Sequence, residues 1–498
     1  MAVCGRVGDR FMIGAAFLQL MWLVGAIPRG GACMLAYRVR GMVVLLAAAQ
    51  MMMVLWVLWM LREHVEALMM DRGILGLGSL AFPWVVGIAM DAVWRGVSLV
   101  ADGSRSWTAA AARTVVPALM AAVQWSLDGR LSLAMWQGGA IWAVVCVALW
   151  LSHRIGPAIL QRICFDGPHR HRALIVGTHE AVNRLAPVLG RQNHLGIHPV
   201  GWLGQNDSGY APASVPFRGC LDQLEEVLKV GDVHQVVVST SMAGTSVIPD
   251  IVRTCERRGV RLFFAQDIHD GLDEGLDGGL HWEAAERWRF GALLNEPLQS
   301  PLNRFAKRCV DAVVSSAALL FGVLPLGCIV WVMQKIQSPG PVFYRQTRHG
   351  IQNTPFSIWK FRTMHCGQVA ASVQATRHDV RVFPFGRWMR KHSIDELPQF
   401  INVLLGNMSV VGPRPHLVEH NHKFAVGEQR YHYRSFVKPG ITGLAQVNGC
   451  RGEVSCEEDL RRRVFWDLKY VESWSLGMDL GLIMRTVKVV FHPPETAY

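Results

Sequence analysis

Two adjacent carboxylates, Asp395 and Glu396, lie in the segment HSIDELPQFINVLLGNMSVVGPRP, close along the chain to Arg390 and Arg414. Two interpretations of the pair are open. Ser393 and Glu396 have the spacing of a capping box, in which both side chains satisfy free amides at the start of a helix. Asp395 would then only complement the positive end of the helix dipole. Alternatively, the pair carries out chemistry on an anionic substrate.

Further charged residues in the last third of the chain favour the second interpretation. They are Arg345, Arg348, Lys360, Arg362 and Asp467. A single basic residue is more often a solvated surface charge, but several guanidinium groups together suit phosphate oxygens. A carboxylate among phosphates is repelled unless it attacks phosphorus or holds a divalent cation between itself and the phosphates. An adjacent Asp and Glu supply one residue for each task.

The composition indicates a membrane protein with anionic partners. Of 498 residues, 51% are hydrophobic and 18% charged, the net charge is +12, and the mean hydropathy is +0.22. This length suits about three domains. The basic excess fits lipid headgroups or a phosphorylated substrate better than nucleic acid once the membrane character is considered. The eleven cysteines follow no zinc-binding spacing, which indicates reduced thiols and no structural metal.

The first third of the sequence, residues 1–155, predicts a bundle of transmembrane helices. The segment 42–61 holds twenty residues without a charge, enough to cross a bilayer. Weaker candidates for spans follow at 74–90, 107–127 and 131–152, and the segment 11–27 is open between a fifth span, an interfacial helix and a signal-like run. Basic residues flank the bundle on both sides, which places both of its ends in the cytoplasm.

Residues 165–271 alternate between buried strands and helices, which predicts a parallel α/β sheet of the Rossmann type. The first turn, VGTHE, keeps one glycine of the dinucleotide-binding pattern. Without the others, the backbone is not expected to approach a pyrophosphate, so a structural or regulatory domain is the preferred interpretation. Residues 272–300 are expected to form a loop-rich linker.

The last domain, residues 301–498, begins with an apolar run at about 312–333 that Pro325 interrupts. A proline inside a helix removes a hydrogen bond and forces a kink. The run is either a kinked spanning helix or a re-entrant helix that enters one leaflet and returns. The re-entrant form is preferred, because the basic chain beyond it then stays on the same cytoplasmic side as the end of the bundle.

Several segments of this domain together resemble the bacterial sugar transferases, the polyprenyl-phosphate hexose-1-phosphate transferases. The matching segments are KRCVD, SPGPVFYRQTRHG, FSIWKFRTM, SIDELPQFINVLLGNMSVVGPRP, KPGITGLAQVNG and DLKYVESWSLGMDL. The whole chain resembles the long form of the family, in which a four-span bundle and a degenerate Rossmann-like domain precede the catalytic domain. The members that it most resembles initiate exopolysaccharide or O-antigen synthesis.

The resemblance implies a reaction and assigns residues to it. The implied reaction transfers a hexose-1-phosphate, glucose-1-phosphate by preference over galactose-1-phosphate, from a UDP-sugar to undecaprenyl phosphate with release of UMP. Asp395 would be the nucleophile and Glu396 a Mg²⁺ ligand, with Arg390 and Arg414 around the phosphates. Asp467 would lie near the active site, and Pro325 would break the re-entrant helix, although Leu324 replaces the serine that the family often has before it.

The resemblance also implies a location at the bacterial inner membrane, with the catalytic domain in the cytoplasm and in contact with the lipid bilayer. Contacts with lipid headgroups would account for Lys360, Arg362, Arg345 and Arg348 as well as contacts with substrate would. The alternative function is a membrane-anchored regulatory or scaffold protein with an inactive transferase-like domain. The intact acidic pair argues against it. A homodimer stays open.

Overall fold

The computed structural model gives the fold of most of the chain beyond residue 170. The described residues are 170–191, 196–204, 215–240, 247–267, 281–285, 288–366, 379–416, 424–425, 427–450 and 456–491, with scattered helical residues before 170. The predicted spans at 42–61, 74–90, 107–127 and 131–152 and the segment 11–27 lie outside the described residues, except for helical residues at 42, 44–50, 52–53, 147 and 151.

The chain divides into two compact units. One comprises Met1–His171, Leu185–His198 and Ser300–Leu302. The other comprises Arg172–Arg184, Pro199–Gln299 and Asn303–Tyr498. The second unit contains most of the central sheet together with the domain that carries the acidic pair, and the side-chain contacts described below lie within it.

The central domain is a sheet flanked by helices. Its elements are β1 (His171–Val176), α1 (His179–Arg191), β2 (Ile197–Gly204), β3 (Phe217–Cys220), α2 (Leu224–Lys229), β4 (Gln235–Ser239), α3 (Ile248–Arg258), β5 (Arg261–Asp267), β6 (His281–Ala285) and β7 (Trp288–Ala292).

The sheet has the strand order β3-β2-β1-β4-β5-β7-β6. The pairs β2–β3, β1–β4 and β4–β5 are parallel, which confirms the predicted parallel α/β sheet. Strands β1, β4 and β5 are buried at nearly every position, because helices cover both faces of a parallel sheet. Apolar side chains such as Val236 and Phe264 therefore form its core.

The expected linker at 272–300 contains secondary structure, so the prediction of a loop-rich segment is wrong for its second half. Strands β6 and β7 form an antiparallel hairpin, and β7 pairs antiparallel with β5. Backbone pairing with the edge of the existing sheet stabilises these two short strands, and a two-residue connection is enough to join antiparallel neighbours. Residues 272–280 lie outside the described residues.

The last domain combines helices with short strands. Its elements are α4 (Pro301–Ala318), a π-helical segment (Leu319–Val323), α5 (Leu324–Gln337), β8 (Phe343–His349), β9 (Pro355–Phe361), α6 (Pro384–Lys391), a 3₁₀ turn (Ile394–Glu396), α7 (Gln399–Leu405), β10 (Ser409–Val411), a 3₁₀ helix (Tyr431–Phe436), β11 (Gly440–Thr442), α8 (Leu444–Val447), α9 (Glu457–Ser473) and α10 (Leu476–Phe491).

One helix within the described residues is long and apolar enough to cross a membrane. It runs from Pro301 to Gln337 through α4, the π segment and α5, and only 17% of its most apolar window is buried. Pro325 is the second residue of α5, so Leu324 alone separates it from the π segment. A π segment is a common site of helix bending, so the irregularity that Pro325 predicts is present at the expected position.

Buried polar side chains attach this helix to the rest of its domain. The ammonium group of Lys307 donates to an Asp479 carboxylate oxygen at 2.7 Å, to the Tyr470 hydroxyl at 3.0 Å and to a backbone carbonyl at the end of β10 at 3.0 Å. One turn later, the Asp311 carboxylate accepts from the Ser409 hydroxyl at 2.9 Å. The segment KRCVD therefore fixes the first turns of the apolar helix to the strand that precedes Arg414.

Candidate active site

The acidic pair lies on a 3₁₀ turn between α6 and α7. Ser393, just before the turn, has φ 55° and ψ 23°, in the left-handed region, and its side chain makes no capping hydrogen bond. The capping-box interpretation is therefore wrong, because that motif needs an extended Ser393 whose hydroxyl accepts from the Glu396 amide. Instead, the Glu396 amide donates to the Ser393 carbonyl oxygen at 3.2 Å, which closes the turn.

Glu396 is held by two cations from different elements. Lys360 on β9 donates to its Oε1 at 2.8 Å, and Arg414 donates to Oε1 at 2.6 Å and Oε2 at 3.1 Å. Burial of Glu396 favours its neutral form, but the charges and hydrogen bonds of Arg414 and Lys360 outweigh this effect and hold its pKa well below the usual value. Glu396 is therefore an ionised carboxylate in a fixed orientation.

Asp395 lies in a different environment although it is adjacent to Glu396 in the sequence. Burial raises the pKa of its carboxyl group to about 6; Lys360 opposes this effect, and the negative charge of Glu396 adds to it. Within the described residues, no hydrogen-bond partner is found for the Asp395 carboxylate, which is half-buried. The pair therefore consists of one carboxylate held by cations and one that is available to a ligand.

Arg348 brings a second guanidinium group close to Arg414. Its Nη2 donates to the Gln346 side-chain oxygen at 2.9 Å, while its buried Nε has no partner among the described residues. Burial lowers the pKa of Arg348 to about 10, and the positive charge of Arg414 adds to this effect while Glu396 opposes it. Two guanidinium groups near one carboxylate favour the binding of an additional anion.

Asp467 is connected to the acidic pair only through other residues. It is 2% exposed, and its Oδ2 lies 2.8 Å from Nη2 of Arg434. Burial raises its pKa, and the charges of Arg434 and Arg463 oppose that shift. Arg434 Nη2 also donates to the backbone carbonyl of Arg414 at 2.7 Å. Asp467 therefore supports Arg414 through Arg434 and does not contact the pair itself.

Three of the predicted phosphate-binding residues have other contacts. Arg362 is buried and donates to the Pro341 carbonyl and the Ser338 hydroxyl, both at 2.7 Å. These hydrogen bonds give Arg362 a structural role, which explains why it is buried. Arg345 is exposed, with its guanidinium 3.6 Å from the centre of the Trp359 ring. Arg390 donates to the Thr363 hydroxyl at 2.9 Å, although its charge also lowers the pKa of Asp395.

Sequence reasoning missed Arg434 and the histidine beside it, His416. Arg434 Nη1 lies 2.6 Å from Nδ1 of the buried His416. Burial and the charges of Arg434, Arg463 and Arg414 lower the pKa of His416 far below its usual value, so the ring is neutral. The one signal in the sequence was the number of arginines between 414 and 463, which has no periodic spacing.

The acidic pair offers carboxylate oxygens, the donor atoms that Mg²⁺ takes from proteins. No group of three or more His, Cys, Asp or Glu side chains that could hold a metal ion occurs within the described residues. Mg²⁺ beside nucleotides commonly takes one or two carboxylates and fills its other positions with phosphate oxygens and water. Glu396 fits as the carboxylate ligand of such a site, with part of its contact with Arg414 and Lys360 exchanged for the ion.

Comparison with known proteins decides the family. Residues 302–493 match the family described as bacterial sugar transferase, and residues 92–265 match a CoA-binding domain family. The chain is 34% identical over 406 residues to the UDP-glucose:undecaprenyl-phosphate glucose-1-phosphate transferase of Escherichia coli (strain K12), an alignment that covers 79% of this chain and 82% of that protein. The chain belongs to the bacterial sugar transferase family.

Other bacterial sugar transferases are similar over part of the chain. The protein of the same name from Xanthomonas campestris pv. campestris is 34% identical over 71% of this chain and 73% of its own length. The protein of that name from Caulobacter vibrioides (strain ATCC 19089 / CIP 103742 / CB 15) is 46% identical over 38% of this chain and 72% of its own length. The acidic pair and its cations lie inside the part that matches the sugar transferase family.

Proposed function

We propose that this chain transfers glucose-1-phosphate from UDP-glucose to undecaprenyl phosphate, releases UMP and so initiates the assembly of an exopolysaccharide or O-antigen repeat unit. The names of the relatives from E. coli and X. campestris support the choice of glucose and of the lipid acceptor. The observation that carries the proposal is the asymmetry of the acidic pair: Glu396 is bound by two cations, while the Asp395 carboxylate is free to react.

In the first step, a carboxylate oxygen of Asp395 attacks the phosphorus atom that bears glucose. An O–P bond forms, the bond to the bridging oxygen breaks, and UMP leaves with the electron pair. The enzyme then carries a glucosyl-phosphoryl group on Asp395. A pKa of about 6 leaves most of this carboxyl group ionised at neutral pH, and its nucleophilicity exceeds that of a carboxylate already bound by cations.

In the second step, a phosphate oxygen of undecaprenyl phosphate attacks the same phosphorus atom. The O–P bond to Asp395 breaks, the carboxylate is regenerated, and the lipid diphosphosugar is released. Neither step needs a general base, because both nucleophiles are already anionic. In agreement with this, the buried His416 is enclosed by arginines and makes no contact with the acidic pair.

The cations stabilise the negative charge that gathers around the reacting phosphorus atom. Arg414 and Lys360 reach the pair directly, and Arg348 adds a second guanidinium group. Glu396 would hold Mg²⁺, and the ion would supply further charge neutralisation at the phosphates. Before the substrate arrives, Glu396 keeps the side chains of Lys360 and Arg414 in place.

The long apolar helix brings this chemistry to the lipid acceptor. We place the chain at the inner membrane, with the apolar helix in the bilayer and the acidic pair in the cytoplasm. Exposed apolar side chains on the π segment and α5 support this placement; they include Leu320, Phe321, Leu324, Ile329 and Ile336. The π segment followed by Pro325 supports a re-entrant path, because it is a natural site for a sharp bend.

The test measures UMP release by the purified full chain in nanodiscs with UDP-glucose, Mg²⁺ and undecaprenyl phosphate. We expect Asp395→Asn to lower turnover by at least about a thousandfold, because the nucleophile is lost. Glu396→Gln is expected to lower it roughly tenfold to a hundredfold through misplaced cations. UDP-galactose, assayed in parallel, is expected to react more slowly. Wild-type turnover by Asp395→Asn would contradict the proposal.

A further inference from the structure

A direct contact joins the central sheet to the 3₁₀ helix Tyr431–Phe436 of the catalytic domain. Arg430, just before this helix, donates from Nε to a carboxylate oxygen of Glu256 on α3 at 3.0 Å. The Glu256 side chain is 10% exposed and Arg430 is 49% exposed. An ion pair that is buried at one end is worth more than a fully exposed one, so this pair contributes to the position of the 3₁₀ helix.

The start of β5 makes a second contact with the same helix. The Arg261 guanidinium donates to both carboxylate oxygens of Glu296, at 2.8 and 2.9 Å, and it lies 3.9 Å from the centre of the Phe436 ring. Arg261 is 5% exposed and Phe436 is 6% exposed. Because Glu296 holds the Arg261 guanidinium group through two hydrogen bonds, this group has a fixed position, and Phe436 packs against a rigid cation.

A glycine allows the close approach of the two domains. Gly259 ends α3 with φ 65°, and a Cβ atom at this position would lie 2.5 Å from Cβ of His432. Any other residue would be strained in this conformation and would displace the 3₁₀ helix. The end of α3 and the beginning of β5 therefore pack directly against this helix.

The 3₁₀ helix in turn holds the active-site cation. Arg434 on this helix pairs with Asp467 at 2.8 Å and donates to the carbonyl oxygen of Arg414 at 2.7 Å. Arg414 then binds both oxygens of Glu396. A displacement of the 3₁₀ helix is thus transmitted to the Arg414 guanidinium group beside the nucleophile through the buried Arg434 and its hydrogen bond to the Arg414 backbone.

We propose that the central sheet domain positions Arg414 for catalysis through the 3₁₀ helix Tyr431–Phe436, with Arg434 as the positioning residue. This inference rests on the proposed function, since it needs a reaction at Asp395 to observe. It gives the central domain a task that needs no nucleotide. The domain keeps Arg434 and Arg414 in place, and a change at a residue that contacts the 3₁₀ helix, such as Glu256 or Arg261, alters the rate of the chemical step.

The test is a double-mutant cycle in the full chain. Glu256→Gln and Arg430→Gln each remove the interdomain ion pair. The double variant lacks both partners and so shows whether the two residues act through this one contact. The readout is the rate of UMP release in the first half-reaction, without lipid acceptor, divided by the amplitude of the burst. Division by the amplitude removes the effect of inactive protein, which a merely structural role would produce.

We expect each single variant to lower this rate roughly threefold, the double variant to match the singles, and KM for UDP-glucose to stay unchanged. Arg434→Lys should lower the rate roughly tenfold, since a single ammonium group cannot replace both Nη2, which contacts Asp467 and Arg414, and Nη1, which contacts His416. The matched control is Glu225→Gln, which breaks the 2.6 Å pair with Arg258 inside the central domain and should leave the rate at the wild-type value.

The outcomes separate the two proposals. Absence of a UMP burst in the wild type would overturn the proposed function. A wild-type burst, together with Glu256→Gln and Arg430→Gln rates equal to the wild-type rate, would overturn the positioning role alone. Additive losses in the double variant would also overturn it, because two residues that act through one contact cannot contribute independently.

Discussion

At the scale of single residues, the main feature of the site is that two adjacent carboxylates differ in reactivity. The main chain places both on one 3₁₀ turn, and the difference comes from their neighbours. Arg414 and Lys360 hold Glu396 in its ionised form, while burial and the charge of Glu396 raise the pKa of Asp395. Environment thus assigns one carboxylate to charge stabilisation and the other to attack on phosphorus.

The raised pKa of Asp395 predicts an acid limb in the rate of the first half-reaction. Its carboxyl group must be ionised to attack, so the rate should fall as pH decreases through about 6, with half of the activity lost near that value. The measurement is the rate of UMP release from UDP-glucose between pH 5 and pH 8 in the absence of the lipid acceptor.

The control for this profile is the thermal stability of the same preparation at each pH, which shows whether the loss comes from unfolding. A rate that stays constant from pH 8 down to pH 5, as expected for an aspartate with its usual pKa near 4, would show that burial does not shift the pKa of the nucleophile.

At the scale of secondary-structure elements, the apolar helix and the catalytic domain are joined by a buried polar network. The Lys307 ammonium group and the Asp479 carboxylate are 2.7 Å apart, and both are nearly inaccessible to solvent. Trp474 Nε1 donates to the same carboxylate at 3.0 Å. Removal of one partner leaves an uncompensated buried charge, which is strongly destabilising.

Asp479→Asn is therefore expected to lower the free energy of unfolding of the catalytic domain by about 3–5 kcal/mol. Thermal denaturation in detergent provides the measurement. Glu457→Gln is the matched control, because it removes an exposed pair with Arg461 that is worth less than about 1 kcal/mol. Equal melting temperatures for the two variants would show that the network contributes little.

The path of the apolar helix gives a prediction that distinguishes a re-entrant helix from a spanning one. Cys309 near its beginning and Cys366 beyond β9 are both exposed. A re-entrant helix keeps both on the cytoplasmic side, so variants that retain one of these cysteines, with the other ten replaced by serine, should both react with an impermeant maleimide in inside-out vesicles. The path would be a span if Cys309 and Cys366 reacted from opposite sides.

At the scale of the whole molecule, different features were predictable to different degrees. The parallel sheet followed from buried strands alternating with helices, and the acidic pair with Lys360 and Arg414 followed from residue types and resemblance to a family. The capping box at Ser393 was wrong because a local sequence pattern does not show that the backbone is left-handed there.

Other features depend on contacts that are distant in sequence. Arg434 and His416 lie side by side although 18 residues separate them in the sequence, and no periodicity marks that contact. Strands β6 and β7 were missed because the edge of an existing sheet stabilises them, not their own composition. The contact of the central domain with the 3₁₀ helix depends on Gly259 and Arg261, which read as an ordinary helix end and strand start.

The most direct measurement is the capture of the covalent intermediate. The full chain is incubated with UDP-glucose labelled at the phosphate that bears glucose, without the lipid acceptor, and the protein is denatured, digested and mapped. We predict that the label is attached to the peptide containing Asp395, is absent in Asp395→Asn, and is released from the wild type when undecaprenyl phosphate is added. UMP release by an active enzyme that never carries the label, or label on another residue, would contradict Asp395 as the nucleophile.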